Sequence, residues 1–133
     1  MKNYSIKKKI INAPISIGEL VDKITILEIK KNKFQNSKLE NVLKELSFLR
    51  KLMEKYQIEI TDDLFTQLKE INLKLWSIED QIRIKEKTKE FDNTFIELAR
   101  SVYFSNDKRA EIKKRINRLS NSQIFEEKFY SDN

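Results

Sequence analysis

The scarcity of turn residues is the feature that most limits what this chain can fold into. Among 133 residues there is a single Gly, Gly18, and a single Pro, Pro14. Sheets and barrels need many tight turns, which depend on such residues. Hydrophobic residues make up 39% of the chain and charged residues 36%, a balance typical of long helices with wide solvated faces. The sequence therefore predicts one all-α domain, a bundle of about four long helices.

Capping residues mark where these helices begin. Ser16 is followed three residues later by Glu19, which is the spacing of a capping box, and Ser37 with Glu40 repeats it. The predicted N-caps are Ser16, Ser37, Thr61 and, for the fourth helix, Asn93 or Thr94. The predicted helices span residues 16–34, 37–57, 61–89 and 93–120.

Apolar seams run along the predicted second and third helices. Large apolar side chains recur at alternating spacings of three and four residues in both. Because a short polar turn joins two matching seams, we predict that these two helices form an antiparallel hairpin. Residues 1–15 are expected to form an extended arm or a short edge strand, since Pro14 disfavours helix. Residues 121–133 are expected to form a short strand beside that arm, or a docked coil.

The predicted fourth helix contains a polar interruption. Its heptad ladder from Phe91 to Leu119 is apolar except at Ser105 and Arg109. Because the apolar pattern resumes in phase after this turn, one continuous helix with inward-facing polar groups is favoured. A break between two helices is the alternative, since Ser, Asn and Asp are all good N-caps.

The residue types that are missing exclude several chemistries. The chain has no Cys and no His, so disulfides, thiolate nucleophiles and imidazole bases or ligands are excluded. No apolar run approaches the roughly 20 residues of a membrane span. The net charge is +6, but the basic segments lack a base-reading motif or stacking aromatics. We expect a cytoplasmic chain with no membrane and no specific nucleic-acid partner.

Arg109 is the sharpest candidate for a binding residue. A charge at a core position needs a carboxylate or a bound anion as its partner. A side chain that reaches solvent or pairs internally is the alternative. On the third helix a line of polar and aromatic residues could supply partners: Asn72, Trp76, Glu79 and Arg83. The simpler alternative is that Trp76 lies in the core and that Glu79 and Arg83 form a surface pair. The residues expected to bind an anionic ligand are Asn72, Trp76, Glu79, Asp80, Arg83, Arg100, Asn106, Asp107, Arg109 and Lys113.

Glu19 and Asp22 form a second candidate site on the first helix. They are three residues apart, so both carboxylates can point the same way. Together with Glu79 and Asp80 they match, in spacing alone, the carboxylate–magnesium sites of all-helical nucleotide pyrophosphatases, and hard oxygen ligands suit Mg²⁺. The alternative is that Glu19 only completes its capping box. Gly18, in the first turn, would let an anion or another backbone approach closely.

Four segments of the chain resemble a small protein family of unknown function. They are "ISIGELVDKITILEIK" (15–30), "LWSIEDQIR" (75–83), "FIELARSVYFSNDKRAEIKKRIN" (95–117) and "IFEEKFY" (124–130). The resemblance implies a short helical protein of bacteria and phages that occurs beside or fused to tetratricopeptide-type glycosyltransferases. It implies no activity. The family's tail has Ser where Phe129 stands in this chain.

Three functions remain open from the sequence. The leading one is a small binding or accessory module that holds a phosphorylated sugar or nucleotide-sugar between the first, third and fourth helices, with Trp76 stacking on a ring. The second is an enzyme: either a Mg²⁺-dependent one acting on nucleotides, or a chorismate-mutase-like one in which Arg and Lys hold a dicarboxylate. The third is a purely structural helical dimer or a protein-interaction module, with no small ligand. An exposed seam on so small a bundle also predicts a homodimer.

Overall fold

The computed structural model describes residues 7–129 of the chain, and they contain four helices and no strand. The helices are α1 (Ile17–Lys31), α2 (Asn36–Lys55), α3 (Asp62–Thr88) and α4 (Asn93–Leu119). The prediction of an all-α bundle is confirmed. The predicted first helix extends three residues too far, to 34, because the chain turns after Lys31.

The helix starts follow the capping rules with two corrections. Ser16 accepts from the backbone N–H of Glu19, and Thr61 accepts from that of Leu64, as predicted. Ser37, however, lies inside α2, which begins after Gln35 without a side-chain cap. At α4 the N-cap is Asp92, one residue before the predicted position, and its carboxylate accepts from the N–H of Phe95 at 3.0 Å.

The helices pair as α1 with α2 and as α3 with α4, and α1 also packs on both α3 and α4. The backbones of α2 and α3 do not come close together, so the predicted hairpin between them is wrong. The reason is that α1 lies between α2 and α3 and contacts both. Eight of its 15 residues are buried, so it is covered on several sides. A heptad seam shows that a helix packs against something, but it does not say against which helix.

Two hydrophobic clusters meet at α1. One lies between α1, α3 and α4 and consists of Val21, Leu64, Leu68, Ile71, Ile112 and Ile116. The other lies between α1 and α2 and consists of Leu20, Ile24, Leu27, Val42 and Leu46. The seams of α2 and α3 therefore both contribute to the core, through α1. Met53 and Phe65 contact both clusters and join them.

The fourth helix runs without a break through the polar turn at residues 105–109. Ser105 is buried and Arg109 is half-buried, so the inward-facing polar patch predicted from the in-phase ladder is confirmed. Both ends of the ladder are open to solvent, since Phe91 is 55% exposed and Leu119 is 73% exposed.

The segments that flank the helices have no regular secondary structure in the described range. This holds for residues 7–15 and 124–129, so the coil alternatives describe them and the strand alternatives do not. The predicted ends of both arms, residues 1–6 and 130–133, lie outside the described residues. In the part of the chain that the structure describes, no helix is both long and apolar enough to cross a membrane.

Candidate functional site

The first turn of α1 lies directly on the backbone of α4. A Cβ atom added to Gly18 would be 2.6 Å from the carbonyl oxygen of Lys113 and 2.9 Å from Oδ1 of Asn117. The backbone N–H of Gly18 instead donates to that Oδ1 at 2.6 Å. Gly18 is therefore needed for close approach, as expected from the sequence, and the approach brings the next turns of α1 against the polar stripe of α4.

The N-terminal amides of α1 are occupied by protein groups. Besides the bond from Gly18, the N–H of Ile17 donates to Oγ of Ser122 at 3.1 Å, and the N–H of Glu19 donates to Oγ of Ser16 at 3.0 Å. Three donors that a helix start leaves unpaired are thus satisfied. The carboxylate of Glu19 does not close the capping box by returning to Ser16; it points towards α4.

Asp22 is the buried centre of a polar network. Its side chain is 1% exposed, and its Oδ2 accepts from Nη2 of Arg109 at 2.8 Å. Its Oδ1 accepts from Nδ2 of Asn72 at 2.8 Å, and Asn72 also donates to Oγ1 of Thr25 at 2.8 Å. A buried carboxylate is tolerated only with such partners. Among residues 7–129 every buried side-chain nitrogen and oxygen has a hydrogen-bond partner.

Lys113 lies one turn after Arg109 on α4 and is surrounded by carboxylates. Its Nζ lies 2.6 Å from Glu19, 3.4 Å from Glu126 and 3.8 Å from Asp22, and its side chain is 10% exposed. Burial alone would lower the pKa of Lys113, but the hydrogen bond to Glu19 and the negative charges around it outweigh burial, so the pKa is raised. The lysine is therefore held in its charged form.

A cavity of about 170 Å³ lies beside Lys113, between α4, the start of α1 and the tail after α4. It is lined by Ser16, Asp107, Ala110, Glu111, Lys113, Lys114, Asn117, Glu126 and Lys128. Its wall contains three lysines, three carboxylates and the polar side chains of Ser16 and Asn117. Such a wall suits a ligand that carries both an anionic group and hydroxyls, because lysines hold the anion and carboxylates accept from hydroxyls.

The structure brings half of the predicted ligand residues together. Asn72, Arg109 and Lys113 meet Glu19 and Asp22 of α1 in the network described above. Oδ1 of Asn106 accepts from Nη1 of Arg109 at 3.4 Å, and Asp107 lines the cavity. The partner that Arg109 was predicted to need is therefore Asp22 of α1, instead of a carboxylate of α3.

The other predicted residues lie outside this network. Trp76 is half-buried against Phe34, with ring centroids 6.3 Å apart, and the ammonium of Lys33 lies 5.3 Å from its ring centroid. The remaining members, Glu79, Asp80, Arg83 and Arg100, are all exposed. Asn72 is the member of the polar line on α3 that bonds to α1, through Asp22 and Thr25. The surface pair of Arg83 with Glu79, at 3.9 Å, corresponds to the simpler alternative.

The two candidate metal ligands are paired with cations. Asp22 contacts Arg109 and Glu19 contacts Lys113, and the exposed Glu79 and Asp80 are not part of that group. Within residues 7–129 no three acidic side chains lie close enough together to hold a metal ion.

Three residues of the network were not predicted from the sequence: Thr25, Asn117 and Glu126. A signal existed for two of them, since Thr25 is three residues after Asp22 and Asn117 is four residues after Lys113, which places each on the same helical face as its neighbour. Glu126 had no such signal, because it lies in a tail without helical periodicity.

Residues 9–133 match the model of a protein family described as a family of unknown function (DUF6165). The match covers nearly the whole chain, including all four helices and the tail. No curated protein and no solved structure matches the chain.

Proposed function

The chain belongs to the family of unknown function DUF6165, and we propose that it is a small binding module for a phosphorylated sugar, held between α1, α4 and the tail. One observation carries the proposal: Lys113, which already has two carboxylates of α1 beside it, takes a third from a tail without secondary structure. That third carboxylate occupies an anion position at the edge of a cavity.

The charges of the helices alone are balanced at this site. Arg109 and Lys113 of α4 face Asp22 and Glu19 of α1, two cations against two anions. Glu126 is an additional anion, and its side chain is half exposed. A lysine that attracts a further carboxylate, in a place that solvent reaches, can hold an anion of a ligand in the same way.

The lining of the cavity favours a sugar phosphate over a nucleotide. Lys113 and Lys114 of α4 supply positive charge, while Asp107 and Glu111 of the same helix supply acceptors for hydroxyl groups. No aromatic side chain of the described residues lines the cavity, and Trp76 packs against Phe34 elsewhere. A base would therefore lack a stacking surface. The association with tetratricopeptide-type glycosyltransferases remains a prediction, and a sugar ligand would agree with it.

Calorimetric titration tests this proposal. The panel should contain hexose phosphates, the same hexoses without phosphate, nucleotide-sugars and small dicarboxylates. The dicarboxylates cover the alternative in which Arg and Lys hold such a substrate. We expect binding of hexose phosphates and a loss of binding by at least about tenfold, or 1.4 kcal/mol, in Lys113→Met. Lys87→Met, on the exposed end of α3, is the matched control and should bind normally. A wild-type chain that binds no member of the panel would overturn the proposal.

We also propose that two copies of the chain associate through the outer face of α4. Ile96 and Tyr103 are each 50% exposed and, with Arg100 between them, lie at spacings of four and three residues on one stripe. Phe104 stacks beside Tyr103, and the guanidinium of Arg100 lies 5.9 Å from its ring. Aromatic residues and Arg are the types enriched in protein interfaces.

Sedimentation velocity distinguishes this interface from a monomeric surface. The wild type should sediment as a dimer, and Ile96→Glu with Tyr103→Glu should sediment as a monomer. Leu73→Glu, at an exposed apolar position of α3, is the control and should leave the dimer intact. A monomeric wild type, or a dimer that survives the double change, would refute the interface.

A further inference from the structure

The tail after α4 folds back along that helix. The reversal occurs at Asn121, whose φ of 61° lies in the left-handed region, and it is closed by a bond from the N–H of Ser122 to the carbonyl of Asn117 at 2.8 Å. The Oγ of Ser122 then donates to the carbonyl of Ile124 at 2.8 Å while it accepts from Ile17. The root of the tail is thus fixed to the last turn of α4 and to the first residue of α1.

Beyond this root the tail is held to α4 by charge. Glu126 pairs with Lys113 at 3.4 Å, and Glu127 pairs with Lys114 at 3.3 Å. Residues 123–129 are all exposed, and none belongs to either hydrophobic cluster. The Glu127–Lys114 pair joins two exposed side chains and contributes little stability, because water and salt screen it. In the Glu126–Lys113 pair the lysine is buried, but the carboxylate is half exposed. The segment is therefore fixed at one end and weakly held at the other.

We infer that residues 122–128 form a strap over the site, in which Glu126 occupies the anion position on Lys113 and must leave before a ligand anion binds there. The inference rests on the proposed function and adds its regulation. Because Glu126 already forms part of the cavity wall, release of the strap both frees the lysine and widens the entrance. The strap thus acts as an intramolecular competitor, and it lowers the affinity of the site for every anion by the same factor.

Spin labels can report the position of the strap directly, since the chain has no Cys. One label is placed at Phe129→Cys, which is 85% exposed, and the other at Lys44→Cys on the outer side of α2. Double electron–electron resonance should give a narrow distance distribution for the closed strap. Glu126→Gln should broaden it, whereas Glu127→Gln, the same substitution at an exposed pair, should change it much less.

Calorimetry of the same three proteins without labels then tests the competition. Glu126→Gln should bind glucose 6-phosphate several-fold more tightly than the wild type, and Glu127→Gln should bind like the wild type. A narrow distance distribution in Glu126→Gln would overturn the strap. It would also be overturned if the wild type binds glucose 6-phosphate and Glu126→Gln binds it with the same affinity. If the distribution broadens but neither protein binds any sugar phosphate, the proposed function fails, and the competition fails with it.

Discussion

Asp22 and Arg109 form an ion pair whose two ends differ in their contact with water. Oδ2 of Asp22 accepts from Nη2 of Arg109 at 2.8 Å, yet the side chain of Asp22 is 1% exposed and that of Arg109 is 29% exposed. Only the arginine can reach solvent by a change of rotamer. The two charges therefore depend on the pair to different degrees.

Removing the arginine should cost more stability than removing the charge of the aspartate. Arg109→Met leaves a buried carboxylate without its closest cation, and we expect a loss of about 3 kcal/mol in the free energy of unfolding. Asp22→Asn leaves a cation that can turn towards water, and we expect a loss of about 1–2 kcal/mol. Urea denaturation followed by circular dichroism measures both. Arg83→Met, on the exposed face of α3, should stay within about 0.5 kcal/mol of the wild type. An equal or reversed order would contradict this account of the pair.

Gly18→Ala should destabilise the chain although Ala favours helix. The added Cβ would lie 2.6 Å from the backbone oxygen of Lys113, and relieving that contact moves α1 away from α4. We expect a net loss of about 2 kcal/mol, measured by thermal unfolding, after the gain in helix propensity of about 1 kcal/mol is included. Because the shortest contact is with backbone, adding Asn117→Ala should not restore stability. A rescue by that second change would show that the side chain of Asn117 limits the approach instead.

The closed strap should be lost at both ends of the pH scale. The charge of Lys113 lowers the pKa of Glu126 below its ordinary value of 4.5, so the contribution of this pair is complete above that value and disappears as acid is added. The pKa of Lys113 is raised above 10.5, so the contribution is complete below that value and disappears only in stronger base. The charged groups near Glu126 are Lys113, Lys114, Asp107 and Glu111 of α4, Glu19 of α1 and Lys128 of the tail.

The distance between the labels at Phe129→Cys and Lys44→Cys measures this pH dependence. We expect a narrow distribution between pH 5 and 10 and one that broadens as the pH falls below 4.5 and through the lowered pKa of Glu126. In Glu126→Gln the distribution should be broad throughout, because the group that titrates is gone. A strap that stays closed in acid as far as the helices remain folded by circular dichroism would mean that it is held by something other than its carboxylates.

Lys89→Gly should stabilise the end of α3. Lys89 has a φ of 59°, in the left-handed region, and ends the helix with bonds from its own N–H to Glu86 and from Glu90 to Lys85. An L-residue is strained there, whereas Gly is not. We expect a gain of about 1 kcal/mol by urea denaturation for Lys89→Gly, and none for the matched Lys89→Ala. A gain in both would assign the effect to the lost charge.

The sequence alone determined the helices and their buried faces. A scarcity of Gly and Pro excluded sheets, and the spacing of Leu68, Ile71, Leu75 and Ile78 showed which side of α3 would be buried. The in-phase ladder also favoured a continuous α4 through Ser105 and Arg109, and the structure confirms it. These features were predictable because they depend on the 3.6-residue period and on local capping, and both act within one or two helical turns.

Only the tertiary structure decided which helices pair and which carboxylate faces Arg109. Apolar seams on α2 and α3 are alike, and Asp22, Glu79 and Asp80 are chemically equivalent candidates. Asp22, 87 residues away in the chain, faces the arginine because Gly18 lets α1 lie on the backbone of α4, whereas Glu79 and Asp80 lie on the exposed face of α3. Close approach of two backbones is a property of three-dimensional packing, and no local spacing in the sequence specifies the partner.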